Sequence, residues 1–215
     1  MPTGRLITIE GIEGSGKTRH AASLAAYLEA RGRRTCLSHE PGATKAGARI
    51  RDIFLDPALS LSPGTELFLV LADRCQHVRE KLKPALARGE IVVCDRYSDS
   101  TLAYQGYGRG FDLDLLGELN RLAADGLNPH LTIILDCPVE LGLERARKRS
   151  DDKGRSLDRF ESETVEFHER VRRGFLALAA RDPRRIRVID STAPLETVDE
   201  TIARMVEQWL ETQCP

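Results

Sequence analysis

Eight residues, Gly11-Ile12-Glu13-Gly14-Ser15-Gly16-Lys17-Thr18, restrict the fold more than any other stretch of the chain. They follow the pattern G-x-x-x-x-G-K-[ST]. An apolar run at residues 6–10 precedes them, and an Ala/Leu-rich stretch at 17–31 follows. The pattern therefore sits between a strand and a helix, the context in which it works. Its glycines let the backbone wrap and turn its N–H groups inward. The start of the helix adds a field that favours anions. Lys17 is placed to reach terminal phosphates, and Thr18 to offer its hydroxyl to Mg²⁺. A Gly-rich turn without a ligand requires none of this context.

The rest of the chain agrees with an α/β reading. Further strand-like runs lie at 35–38, 91–94, 131–135 and 187–189. They are apolar at successive positions, as in strands covered on both faces. Between them, 17–31 is helical up to Gly32, a helix stop. The stretch 63–88 opens on the capping pair Ser62-Pro63 and carries Leu67, Leu71, Cys75, Val78, Leu82 and Leu86 at helix spacing. Residues 158–180 repeat that spacing with Phe160, Thr164, Phe167, Val171, Phe175 and Leu178, and 195–211 forms a last helix. Strands separated by helices imply right-handed crossovers and a mainly parallel sheet. No repeat or linker divides the 215 residues, so 1–215 is expected to be a single domain.

Composition narrows the function. Charged residues are 30% and apolar residues 41%, as in a globular chain, and the net charge is −1. No overall attraction to nucleic acid or to an anionic membrane follows, so any anion site is local. No apolar run approaches the ~20 residues of a membrane span. The first residues lack the pattern of a secretory signal. Five scattered cysteines (36, 75, 94, 137 and 214) without a C-x-x-C pair suggest buried, reduced thiols and a cytoplasmic protein.

Two further constellations carry charge. Asp95-Arg96-Tyr97 ends the third strand, and ligands of open α/β sheets bind beyond the carboxyl ends of strands. Asp95 there suits a Mg²⁺ hydration shell, and Arg96 offers a planar fork to a second phosphate. Arg145, Arg147, Lys148, Arg149, Lys153 and Arg155 crowd a segment containing Gly154. Arg145 and Arg149 share a helix face and Arg147 does not. The segment 145–159 suits a mobile lid that closes over phosphates, although a solvated face would also carry such a run.

These residues together resemble the bacterial thymidylate kinases of the nucleoside-monophosphate kinase superfamily. The landmarks are residues 9–18, Glu40-Pro41-Gly42, Ala72-Asp73-Arg74, Asp95-Arg96-Tyr97, the run Ser100 to Gly106 and Asp158-Arg159-Phe160-Glu161. The resemblance implies a five-stranded parallel sheet with helices on both faces, a flexible lid and a homodimer. It implies transfer of the ATP γ-phosphoryl group to dTMP, with Mg²⁺, in dTTP biosynthesis. Gly11, Ile12, Glu13, Gly14, Ser15, Gly16, Lys17, Thr18 and Arg145 would bind ATP. Thr18 and Asp95 would hold the metal, partly through water. Glu40, Arg51, Val70, Arg74, Arg96, Ser100, Thr101, Tyr104 and Gln105 would form the dTMP site, with Arg51 and Arg96 on its phosphate and Arg74 on the thymine carbonyl edge. Tyr104 would lie under the deoxyribose. Lys17, Arg96, Glu13, Arg147 and Arg149 would be catalytic. The loop carries no basic residue before Gly16 and the lid carries three arginines, as in the subgroup whose catalytic arginine is in the lid. Which of them meets the phosphates stays open.

Three departures stand out. Val70 replaces the Phe that stacks on thymine, and Phe68 points roughly 120° away from Arg74 on a helix. His39 stands where an Arg commonly precedes Glu-Pro-Gly, with Ala43 after it. Residues 150–154 lengthen the lid. The rival readings are another deoxynucleotide or deoxynucleoside kinase, and a P-loop switch, for which no N-K-x-D motif is present. A nucleoside acceptor would leave Arg51 and Arg96 without a purpose.

Overall fold

A computed structural model describes residues 4–152 and 157–212. Lys153, Gly154, Arg155 and Cys214 therefore lie outside the described residues. Five strands, β1 Arg5–Glu10, β2 Thr35–His39, β3 Ile91–Asp95, β4 Leu131–Asp136 and β5 Ile186–Asp190, pair in the order β2-β3-β1-β4-β5, each pair parallel. Each expected strand is present, extended by one or two residues.

The central strands β1, β3 and β4 bury both faces because helices cover both, while the edge strands β2 and β5 are partly exposed. Ile7, Ile9, Ile133 and Leu135 pack on Leu24 and Leu28 of α1 (Lys17–Ala30) and on Val198, Ile202 and Val206 of α9 (Leu195–Thr212). On the opposite side Leu6, Val92 and Cys94 meet Val78, Leu82 and Ala85. Ile134 meets Phe167, Val171 and Phe175 of α8 (Val165–Arg181). α1 ends at Arg31, and Gly32 follows at φ +74°, the stop expected there.

α3 (Pro63–His77) begins as expected, with Ser62 accepting from the Thr65 N–H. A π-helical turn, Val78–Leu82, carries it into α4 (Lys83–Ala87). Cys75 is exposed rather than buried. Each four-residue step along a helix advances about 40° past a full turn, so two steps from Leu67 move Cys75 off the face. Asp73, Arg74 and His77 occupy the buried positions instead.

The helix expected over 158–180 begins only at Val165. Two side chains take backbone N–H groups that a helix would need in place. Asp158 accepts from the Phe160 and Glu161 N–H groups, and Thr164 caps the true start by accepting from Phe167. Within the segment expected to be mobile, Arg145 to Asp152 belong to α7 (Val139–Asp152). No sequence signal named above marks α2 (Lys45–Leu55), α5 (Ser98–Thr101), the π-helical turn Leu102–Gly108 or α6 (Leu113–Ala123). The π turn closes with the Arg109 N–H on the Tyr104 carbonyl at 2.9 Å. Gly108 admits Phe167 of α8, where a Cβ would meet the ring at 2.8 Å.

Candidate active site

Three strand ends converge at one edge of the sheet. Ile9 pairs with Asp95, and His39 pairs with Asp95 on its other side. Gly11–Thr18 after β1, Glu40 after β2 and Arg96 after β3 therefore start level, at the point where the strand order reverses. Together they line a cleft of about 1020 Å³.

The loop wraps as its glycines allow. Gly14 has φ +70°, and a Cβ there would lie 1.8 Å from the Gly142 carbonyl oxygen of α7. A Cβ on Gly142 would in turn lie 2.5 Å from the Glu13 carbonyl oxygen. Only two glycines let loop and helix touch in this way, a pairing that no local sequence signal announces. Lys17 Nζ donates to the Ile12 carbonyl at 2.6 Å, folded back over the loop. Burial, then the Arg96 charge, lower its pKa to about 8.

Thr18 Oγ1 donates to Asp95 Oδ2 at 2.5 Å. Asp95 Oδ1 is buried and accepts no hydrogen bond among the described residues. That orphaned oxygen beside a hydroxyl fits a hydrated divalent cation. No cluster of three or more His, Cys, Asp or Glu among the described residues is arranged to hold a metal by itself. A cation here would lean on water and phosphate, the usual habit of Mg²⁺.

Arg96 has φ +68°, a left-handed conformation that costs of order 1–3 kcal/mol in a non-Gly residue and gathers at functional sites. It turns the guanidinium back over the loop. Nη2 donates to Glu13 Oε1 at 2.7 Å, and Nη1 lies 3.4 Å from the Gly11 carbonyl and from Ser100 Oγ. The Tyr104 hydroxyl is 2.7 Å from both oxygens of Glu13. Burial would raise the Glu13 pKa, but Arg96, His168 and Lys17 together outweigh it and hold the carboxyl well below the usual range. Glu13 is thus an anchor for Arg96 and Tyr104. Arg51 donates to the Pro41 carbonyl at 2.8 Å, and burial and then the Arg96 charge depress its pKa. Two cations pressed toward one region are prepared for an anion.

Arg74, expected to read a base, is almost wholly buried. Nε and Nη2 hold Glu40 at 2.9 and 2.8 Å, while Nη1 holds Thr101 and Asn120 at 2.9 and 2.5 Å. One Nη2 proton remains for a ligand. Glu40 also takes His77 Nδ1 at 2.9 Å, so it fixes Arg74 in place. Ser100 donates to Glu10 at 2.6 Å. Val70, Thr101, Tyr104 and Gln105 line the cleft, as do Phe54 and Phe160, whose rings lie 5.0 Å apart. Phe68 points outward, as its spacing requires. His39 lines the cleft as well, its pKa lowered by burial and then by Arg51.

Of the arginines on α7, Arg149 reaches the cleft and is held by Glu161 at 2.5 Å. Arg145 donates to the Ser191 carbonyl at 3.0 Å beyond β5, and Arg147 is exposed. Sequence reasoning missed Glu10, Asp73, His77 and His168, which brace the site from beneath. Asp73, His77 and His168 show only as polar residues on otherwise apolar helix faces, and Glu10 as an acid at the end of an apolar strand.

A profile of the thymidylate kinase family matches residues 9–202. The chain belongs to the thymidylate kinase family. It is 49% identical over 207 residues to the thymidylate kinase of Desulfovibrio desulfuricans, covering 95% of each chain. It is 46% identical to that of Deinococcus radiodurans over 97% of this chain and 98% of the relative. A crystal structure of thymidylate kinase from Ehrlichia chaffeensis superposes with a TM-score of 0.76 at 34% identity, over 96% of this chain and 99% of that one. The parallel α/β sheet and the kinase class follow from this membership. The braced arginines are then parts of a phosphotransferase.

Proposed function

We propose that this kinase transfers the γ-phosphoryl group of ATP to dTMP, giving dTDP and ADP, with Mg²⁺ as cofactor. The observation that carries the reading is the convergence of two phosphate sites in one cleft, the Gly11–Thr18 loop with Lys17 on one side and Arg51 with Arg96 on the other. A second phosphate site has no use for a nucleoside acceptor or a water nucleophile.

The acceptor phosphate is already anionic near neutral pH, so the reaction needs no strong base. The chain's task is to bring two anions together and to neutralise the group passing between them. The loop N–H groups and Lys17 take the donor phosphates. Arg96, steadied by Glu13, takes the acceptor phosphate with Arg51. Thr18 and Asp95 would hold Mg²⁺, which supplies charge neutralisation when bound. Arg74 offers its free N–H to a thymine carbonyl, beside Thr101 and Gln105. Tyr104, fixed by Glu13 and by the edges of Phe160 and Phe175, floors the sugar site. Arg149 serves as the lid arginine once it leaves Glu161, and 145–159 is the lid of a single domain.

The same reading makes the protein a cytoplasmic homodimer. No described helix is long and apolar enough to cross a membrane. Phe68 and Leu122 are exposed on α3 and α6, which pack together through Leu67, Leu71, Leu116 and Ala123. The deciding assay is ADP formation from Mg²⁺-ATP across dTMP, dUMP, dCMP, dGMP, AMP and thymidine. A profile dominated by dTMP, with thymidine silent, is the expected result. Preference for thymidine or for another monophosphate overturns the substrate assignment.

A further inference from the structure

His168 is a fully buried imidazole near the start of α8 with no part in the steps above. Its Nε2 lies 3.0 Å from the Phe160 carbonyl oxygen, so Nε2 donates there. Its Nδ1 lies 3.3 Å from Glu13 Oε2, within ion-pair distance, and makes no hydrogen bond among the described residues. A carboxylate only accepts, so this contact attracts when Nδ1 also carries a proton. The Phe167 ring stands edge-on to the imidazole at 5.6 Å and fixes its plane. Glu13 is thereby bracketed, with Arg96 and Tyr104 on its other contacts. Phe160 belongs to the turn that closes the lid segment.

We propose that His168 is a positioning residue that steadies the Glu13 carboxylate through Nδ1, and through it Arg96, while Nε2 ties this assembly to the turn carrying Phe160. The proposal rests on the phosphotransferase reading. It takes from the substrate assignment only the identity of the acceptor.

Two isosteric variants separate the two contacts. In His168→Asn the amide nitrogen stands near the place of Nδ1 and keeps the contact to Glu13. In His168→Gln it stands near the place of Nε2 and keeps only the contact to Phe160. The acceptor panel is run first on the wild type, and the kinetics then use whichever monophosphate it selects, so failure of the substrate assignment leaves this test intact. His168→Gln should raise KM for the acceptor about tenfold, the scale of a buried charge losing a close partner. KM for ATP should stay within about twofold, and His168→Asn should stay near wild type. In a Glu13→Gln background the glutamine variant should add less than about twofold, because its route to Arg96 is already broken. An unchanged acceptor KM in His168→Gln, a loss confined to kcat, or an undiminished effect in the Glu13→Gln background overturns the proposal. Should the variants not fold, ¹⁵N-histidine NMR of the wild type decides the matter. Protons on both nitrogens of His168 support the proposal, and a bare Nδ1 overturns it.

Discussion

Lys17 shows how much one residue's surroundings decide. Burial and the neighbouring Arg96 bring its pKa down to about 8, so the free enzyme sheds this charge as pH rises past that value. Bound ATP phosphates favour the charged form and keep the proton in place. The value of kcat/KM for ATP reports the free enzyme, and kcat reports the complex. We therefore expect kcat/KM for ATP to fall above about pH 8 while kcat holds steady, as measured by initial rates from pH 6.5 to 9.5. A flat kcat/KM across that range would deny Lys17 its role at the phosphates. Val70 poses the opposite question, that of a missing contact. Base–aromatic stacking is worth ~1–3 kcal/mol in nucleic-acid binders, so Val70→Phe should lower KM for dTMP roughly fivefold or more. A KM that stays put or rises would mean that Phe54 and Phe160, which already line the cleft, supply the apolar wall. At this scale the sequence was legible for the placement of Lys17, Thr18, Asp95 and Arg96, which a motif beside a strand end brings into one cleft. It was not legible for the partners of Arg74. Glu40, Thr101 and Asn120 come from three distant segments, and only the fold reveals that they consume most of its donors.

Elements were readable where periodicity alone governs them. Continuous apolar runs marked β1, β3 and β4, which are covered on both faces, while the half-exposed edge strands β2 and β5 gave shorter, weaker runs. Side chains that compete for backbone groups set the boundaries that were misplaced. Asp158 and Thr164 hold 158–164 out of the helix. The two π turns were invisible, because an extra residue in a turn shifts the stripe without altering composition. One element owes its place to a buried acid. Glu10, at the end of β1, accepts from the Tyr97 N–H at 2.7 Å, from the Ser100 N–H at 3.3 Å and from Ser100 Oγ at 2.6 Å, and so caps the short helix α5. Burial, and then the Asp99 charge, raise its pKa to about 8 from 4.5. A group with a raised folded-state pKa gives its full stabilisation below the unfolded value and loses it as pH climbs through the folded one. Between pH 5.5 and 7.5 the wild type should therefore lose on the order of 2 kcal/mol more unfolding free energy than Glu10→Gln. Urea titrations at the two pH values measure the difference. Other titrating carboxyls, such as Asp73, are common to both proteins, so equal losses would mean that Glu10 is ionised throughout.

The whole molecule sets one cleft at a sheet edge. The proposed phosphate sites stand on strand ends, whereas the proposed base and sugar walls come from α3, the π turn after α5 and the turn before α8. The general architecture was therefore readable from alternating strands and helices, but the walls of the proposed acceptor site, assembled from elements far apart in sequence, were readable only by resemblance. The outer surface raises the remaining question at this scale. Phe68 and Leu122 are 67% and 74% exposed, on two helices whose inner faces are already packed together. Where such side chains join into one apolar patch, the patch marks a protein interface. α3 also carries Val70, Asp73 and Arg74 into the cleft, so a second copy seated on its outer face would stiffen the element proposed to read the base. Sedimentation equilibrium should then give twice the chain mass of 23.9 kDa for the wild type. The double variant Phe68→Asp/Leu122→Asp should give the single mass, with KM for dTMP raised more than KM for ATP, because α3 borders the acceptor and not the loop that holds the donor. A wild type of single mass would remove the homodimer from this account. A variant that stays dimeric would move the interface to another face, and a variant that becomes monomeric with both KM values unchanged would show that α3 needs no partner to hold its shape.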